Sequence, residues 1–247
     1  MSAEYRWGAP GRQAATVGAI EFGMFTGLVQ TVGRVCGLEP GPRGVAIEVD
    51  PGPWDHGAGE GGSIAVNGCC LTLTCDPAVV GGRLRFFAIP ETLAKTNLGR
   101  IAEGSPVNLE ASVTAATLMG GHFVQGHVDG VGEVVAVRTP EGADGEWRVR
   151  VAPPPGLMRY MSPKGSVCLD GVSLTIASLE AGDHAGKGGW IEVALIPVTL
   201  AKTILSHYSA GDAVNIEADI LVKTVVHYLE HYGQGPRGVG AFSGGKG

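Results

Sequence analysis

Gly120-Gly121-His122-Phe123-Val124-Gln125-Gly126-His127-Val128-Asp129-Gly130-Val131-Gly132, near the middle of the chain, restarts a pattern already used at Met24-Phe25-Thr26-Gly27-Leu28-Val29-Gln30-Thr31-Val32-Gly33. With Gly27 laid on Gly126, 99 residues later, Val29, Val32, Gly33 and Val35 fall on Val128, Val131, Gly132 and Val134. Three further blocks keep the same order: Gly62 to Leu73 matches Gly165 to Ile176 at a distance of 103, Ile89 to Thr96 matches Ile196 to Thr203 at 107, and Gly104 to Glu110 matches Gly211 to Glu217, again at 107. The offset grows only across glycine-rich loops. A period this long lies above the roughly 20–50 residues of solenoid arrays, so the chain is a duplication of a whole domain.

The composition accommodates two such domains. With 247 residues, 44% of them hydrophobic and 17% charged, the chain can bury two ordinary cores. A formal charge of −6 without any Lys/Arg cluster argues against nucleic acid and anionic membrane as partners and favours a small ligand. Five cysteines, with Cys69-Cys70 adjacent and Cys36, Cys75 and Cys168 scattered through apolar runs, are neither a secreted disulfide framework nor a zinc-ligand spacing. A reducing, cytoplasmic compartment is expected. No apolar run reaches the roughly 18 residues of a membrane span. Gly57-Ala58-Gly59-Glu60-Gly61-Gly62 is a loop and not a dinucleotide site, because no βαβ unit surrounds it.

Residues 1–23 show neither alternation nor a signal-peptide core and read as a disordered N-terminal extension. From Met24 the signals are short strands bounded by Gly, Pro, Asn or Asp: Gly27 to Val35, Val45 to Val49, Ser63 to Val66, Leu71 to Cys75, Arg83 to Ala88 and Val107 to Glu110. Asn67-Gly68 is a tight-turn dipeptide, answered in the second copy by Asp170-Gly171. Glu91 to Leu98 reads as a helical turn. The fold class is therefore all-β: two tandem, pseudo-symmetric, six-stranded Greek-key barrels, over residues 24–120 and 121–218. Loops Thr139 to Glu146 and Ala181 to Gly189 are glycine-rich and read as mobile. Asp219 opens a C-terminal helix over 219–232, with Leu221, Val225, Tyr228, Leu229 and Tyr232 on one face and Lys223, Thr224, His227 and Glu230 on the other. Having no third layer to cover, this helix reads as a subunit contact. Residues 233–247 read as a disordered tail.

These blocks resemble the riboflavin synthase, or lumazine-binding double-barrel, family over about residues 24–232. The pieces that carry the resemblance are Met24 to Val29, Asn67-Gly68-Cys69-Cys70-Leu71-Thr72, Glu91-Thr92-Leu93 with Thr96-Asn97-Leu98-Gly99, Gly120 to Asp129, Lys164-Gly165-Ser166 and Asp170 to Thr175. The resemblance implies that two molecules of 6,7-dimethyl-8-ribityllumazine exchange a four-carbon unit to give riboflavin and 5-amino-6-ribitylaminouracil, with no metal or cofactor. It also implies a homotrimer that reacts its substrates between the N-terminal barrel of one subunit and the C-terminal barrel of the next.

By the family pattern, a first pocket takes Gly27, Leu28, Val29, Cys70, Leu71, Thr72, Glu91 and Thr92, with Ser63, Phe87, Ala88, Ile89 and Pro90 beside them. A second takes Gly126, His127, Val128, Lys164, Ser173, Leu174, Thr175, Ile196 and Thr199, with Ala194, Leu195, Pro197 and Val198. Where many members repeat Pro-Glu-Thr-Leu, this chain has Pro197-Val198, so the carboxylate that Glu91 supplies to one pocket is missing from the other.

Four residues are catalytic candidates. His127 replaces a leucine of the first copy, so the pseudo-symmetry does not demand it; an imidazole suits removal of the acidic C7-methyl proton of the lumazine, and the other reading is a histidine satisfied by backbone. Cys70 is a thiol nucleophile or a small side chain against the ring, and Ser173 fills its place in the second barrel. Asp219, on Ser112 of the first copy, orients a partner or caps the helix. Lys164 binds the ribityl chain or is a solvated turn lysine. His122, His207 and His227 are assigned no role. A non-catalytic lumazine or flavin carrier is the alternative on the same fold, and a redox flavoprotein a more distant one, since no nicotinamide-binding α/β half is present.

Overall fold

The structure, a computed structural model, describes residues 23–140, 146–182 and 188–233. The expected extension, the tail beyond Gly233 and the centres of the two glycine-rich loops lie outside these residues. The first barrel is built from β1 (Thr31–Gly41), β2 (Gly44–Asp50), β3 (Ser63–Val66), β4 (Cys69–Thr72), β5 (Leu84–Ala88) and β6 (Pro106–Ala111), hydrogen-bonded in the order β4-β3-β6-β1-β2-β5. Beyond β4 the chain joins the far edge: Leu73 bridges to Phe86, and Thr74 donates both its amide (2.9 Å) and its hydroxyl (3.1 Å) to the Arg85 carbonyl. The second barrel contains β7 (Gly130–Arg138), β8 (Trp147–Ala152), β9 (Ser166–Leu169), β10 (Val172–Glu180), β11 (Trp190–Leu195) and β12 (Ala213–Ala218). It closes in the order β10-β11-β8-β7-β12-β9, which is the cyclic order of the first. In each, the last strand returns between the first and third, a Greek-key path.

Inward-facing side chains fill each barrel separately, with Ile47, Ile64, Leu84, Phe86 and Leu109 in one and Val151, Leu169, Ile176, Ile191 and Ile216 in the other, all fully covered. Two short helices occupy equivalent places, α1 (Pro90–Lys95) and α2 (Pro197–Lys202). Both begin on proline, whose fixed φ suits the first helical position. Both end at a threonine, Thr96 or Thr203, whose hydroxyl donates to the carbonyl of Thr92 or Thr199 at 2.7 Å and accepts the amide of Leu98 or Leu205, opening a 3₁₀ turn. The expected helical run Glu91 to Leu98 is thus broken at Thr96.

The barrels meet on a buried polar dyad. Asn67-Gly68 and Asp170-Gly171 adopt positive φ at all four positions, as a tight hairpin turn requires, and their glycines face each other so closely that a Cβ on Gly68 would lie 2.5 Å from the Gly171 amide. Around them, Asn108 donates to the Asp170 carbonyl (2.8 Å) and accepts the Ile204 amide (2.9 Å), while Asn215 donates to the Asn67 carbonyl (2.8 Å) and accepts the Asn97 amide (2.6 Å). Asp170 breaks the symmetry by accepting the Tyr208 hydroxyl at 2.7 Å. A satisfied buried network of this kind fixes one mutual arrangement of the two barrels.

The expected strand Gly27 to Val35 starts late, because Gly27 takes a left-handed φ of 74° and turns the chain before β1. Residues 24–28 pair elsewhere, and that pairing builds the site.

Candidate active site

Phe25 and Val124 form an antiparallel bridge across the pseudo-dyad, with amide-to-carbonyl distances of 2.7 and 3.2 Å, so the leading segments of the two barrels make one short ribbon. Each arm of the ribbon then reaches the opposite barrel. The Gly27 carbonyl accepts the Ser173 amide on β10 at 2.8 Å, and the Gly126 carbonyl accepts the Cys70 amide on β4 at 2.8 Å. Only glycine fits: a Cβ on Gly27 would lie 2.6 Å from the Ser173 Cβ, and one on Gly126 2.6 Å from the Cys70 Cβ. The grouping expected from the family pattern is thereby corrected. Gly27, Leu28 and Val29 stand with Ser173, Leu174 and Thr175, and Gly126, His127 and Val128 with Cys70, Leu71 and Thr72. The repeat aligns equivalent positions, but a crossed ribbon exchanges which barrel each arm serves.

Both clefts open where two neighbouring strands splay. β10 and β11 pair from Ile176 and Val193 outward, which leaves Ser173–Thr175 and Ala194–Leu195 facing each other unpaired. β4 and β5 meet at the Leu73–Phe86 bridge, with Cys70–Thr72 and Phe87–Ala88 diverging in the same way. Around the second-barrel cleft, Leu28, Ile196 and Val198 are about half exposed; around the first, Phe87 and Ile89 are. Apolar walls with strand edges suit a flat heterocycle with imide donors and acceptors.

The clefts differ in their polar groups. Ser173 Oγ and His122 Nδ1 lie 2.7 Å apart, and His122 Nε2 is buried without a partner. Burial pushes the His122 imidazole below its ordinary range, only partly opposed by the nearby Asp219 carboxylate, so the neutral ring faces the serine hydroxyl. Asp219 itself caps α3 (Ile220–His231), accepting the Leu221 amide at 2.8 Å. Its capping role and its field at His122 therefore coexist. His122 has no role in the motif reading, yet it stands opposite Gly23 of the first copy, the same kind of asymmetry that singles out His127. In the other cleft, burial raises the Cys70 thiol above its ordinary value, with a Ser63 hydrogen bond pulling the other way. His127 is exposed at this mouth. Glu91 is exposed and ion-paired to Lys95 at 3.1 Å along α1. Lys164 lies on an exposed left-handed turn, its amide on the Ile176 carbonyl, three residues along β10 from Ser173.

Two buried carboxylates at equivalent positions hold the ribbon arms. Glu110 accepts the Thr26 amide and hydroxyl, each at 2.7 Å, and the Gly27 amide at 3.0 Å, while Glu217 accepts the Gln125 amide at 2.7 Å. Burial pushes Glu110, Glu217 and the dyad's Asp170 up to about 7. Their ordinary values are 4.5, 4.5 and 3.8, so the folded chain binds more protons than the unfolded one across the intervening window. Their contribution to stability is fully present below about pH 4 and is lost as pH rises through 7. His122 and His56, both pushed down, oppose this only as pH falls below their ordinary 6.5. Thermal midpoints are expected to fall between pH 6.5 and pH 8, and a flat profile there would show that the carboxyls are ionised at no cost.

A family model described as the lumazine binding domain matches residues 26–112 and again 125–219. Riboflavin synthase of Mycobacterium tuberculosis is 39% identical over 211 residues, covering 85% of this chain and 100% of its own. That of Schizosaccharomyces pombe is 38% identical (84% and 94% covered), and that of Bacillus subtilis 34% identical (83% and 90%). Among solved structures, LumP complexed with riboflavin aligns with a TM-score of 0.64 at 21% identity over 78% of this chain and 98% of that one, a likeness of fold.

Proposed function

The chain belongs to the lumazine-binding domain family, and from that premise we propose that it makes riboflavin by dismutation of two 6,7-dimethyl-8-ribityllumazine molecules. One molecule gives up a four-carbon unit and leaves as 5-amino-6-ribitylaminouracil; the other becomes riboflavin. The enzyme is a transferase. The observation that carries the reading is the pair of equivalent clefts, each made by the splayed strands of one barrel and the glycine arm of the other, with different polar groups in each. Two alike cradles suit two identical substrates, and unlike groups suit their unlike fates. Holding both rings in fixed opposition supplies the largest part of the acceleration, on the scale of effective molarities of ~10⁵ M or more.

In this reading His127 takes the C7-methyl proton in one cleft. In the other, the Ser173 hydroxyl, set against the neutral His122, hydrogen-bonds the bound ring. Cys70 packs against the ring as a thiol, since its burial disfavours the thiolate a nucleophile needs. Cys70→Ser is accordingly expected to retain turnover within about tenfold, whereas covalent catalysis would require a far larger loss.

The two clefts of one chain are read as serving different reactions. Gly27 and Gly126 lie at opposite ends of the ribbon, each two residues past the Phe25–Val124 bridge, roughly 13 Å apart at strand spacing. Reacting atoms must approach to about 3–3.5 Å. This separation supports a reading in which clefts meet between protomers, in a homotrimer assembled through α3. That helix half-buries Val222, Lys223 and Val226 and leaves Leu221, Val225, Tyr228, Leu229 and Tyr232 57–66% exposed. An apolar face of that kind is a contact surface. Among the described residues no helix is long and apolar enough to cross a membrane, and the cytoplasm is the proposed location. The test is addition of the lumazine alone: riboflavin absorbance appears without cofactor, and titration finds two ligands per chain. One ligand and no product would establish a carrier instead.

A further inference from the structure

The duplication isolates one ion pair that a barrel does not need. Gln30 and Asp129 are equivalent, each following a ribbon arm. Gln30 donates its amide to the Leu109 carbonyl (2.9 Å) and accepts the Ala111 amide on its side chain (3.0 Å). Asp129 repeats both contacts on Ile216 and Ala218, each at 2.8 Å. A neutral amide side chain is thus enough to sew this corner. The added charge has another partner: Lys223 donates to both Asp129 oxygens, at 2.9 and 3.0 Å, with side-chain exposures of only 18% and 21%. Lys223 lies near the start of α3, a helix without a counterpart in the first barrel among the described residues.

We propose that Lys223 and Asp129 are a positioning pair that locks the seat of α3 to the arm carrying His127. That arm is held at one end by Glu217 on the Gln125 amide, in the middle by the Gly126–Cys70 bond, and at the other end by this pair. The lysine charge also faces Glu217. The other tie of α3, Arg159 to Glu230 at 3.1 Å, is about half exposed and contributes little. Loss of the pair frees the His127 end of the arm and the helix together, and a displacement well under 1 Å at the reacting atoms costs turnover before it costs binding. The proposal rests on the reading of His127 as the proton-moving group.

The test uses the full chain with Asp129→Gln, the residue the first barrel employs, Lys223→Met, the double variant and Lys223→Arg. Asp129→Gln keeps the Ala218 bond and with it the fold. Each single variant is expected to lose about tenfold in kcat with KM changed less than about twofold, and the double variant to be no worse than either, because both remove one interaction. Lys223→Arg is expected to recover most of kcat. Full turnover in both single variants, a lowered melting temperature with kcat intact, or losses that multiply in the double variant would overturn the proposal. A wild-type chain that forms no riboflavin would instead defeat the function on which it rests.

Discussion

His127→Gln is expected to slow turnover by about 10²–10⁴-fold, the usual contribution of a general base, while both lumazines still bind. The glutamine keeps a hydrogen-bonding head of similar reach but cannot take a proton. His127 sits on a short arm braced on both sides: the preceding carbonyl, of Gly126, accepts the Cys70 amide at 2.8 Å, and Asp129 donates its own amide to the Ile216 carbonyl at 2.8 Å. Its imidazole is therefore delivered to the cleft mouth by backbone contacts that the substitution leaves untouched. The diagnostic readout is exchange of the C7-methyl protons with deuterated solvent, which isolates the proton step from carbon transfer. Exchange at the wild-type rate in the variant would remove His127 from the chemistry even if turnover fell.

Gly126→Ala is expected to be at least as damaging, for a reason of shape. The new Cβ would lie 2.6 Å from the Cys70 Cβ and 2.9 Å from both the Cys70 amide and the Phe25 ring, with φ at 73°. The left-handed conformation alone costs alanine ~1–2 kcal/mol. Relief is blocked on both sides, since the Cys70 amide is the donor that holds the arm and Phe25 is fully buried. The arm must lift from β4, carrying His127 out of register, and a loss of turnover of about 10² or more follows. Ligand titration is expected to show the Ser173 cleft still filled and the Cys70 cleft empty. Wild-type turnover in Gly126→Ala would mean that the crossed arm does not shape that cleft.

Much of this was legible in the residues. The repeat blocks locate eight of the strands' cores and the two hairpin turns, because a β-domain punctuates itself with Gly, Asn and Asp wherever φ must be positive. The family resemblance follows from the same blocks, and the helix at Asp219 from its apolar spacing. What the chain order does not carry is which copy's arm docks on which barrel. Gly27 and Gly126 are equivalent, as are Cys70 and Ser173, and an uncrossed arrangement satisfies the pattern equally well. The crossing arises from the Phe25–Val124 pairing, a contact between copies. His122 escaped for a different reason: its value lies in the 2.7 Å contact to Ser173, across 51 positions of sequence, although its placement opposite Gly23 was a usable signal. Glu110 and Glu217 read as strand ends, since burial of a carboxylate on backbone amides is a property of the packed state. The seat of α3 is not legible either: Val222, Lys223 and Val226 are half-buried, with Lys223 tied to Asp129, while Leu221, Val225, Tyr228, Leu229 and Tyr232 stay outward.

The claim on which the account turns is that the two clefts of one reaction belong to different protomers, and subunit mixing measures it. His127→Gln and Ser173→Ala each disable one cleft. Unfolded and refolded together in equal amounts, they are expected to regain about a quarter of wild-type turnover, because in a head-to-tail ring a random quarter of the interfaces unite two intact clefts. Activity that stays at the level of the separate variants would contradict it, placing both clefts of each reaction within a single chain.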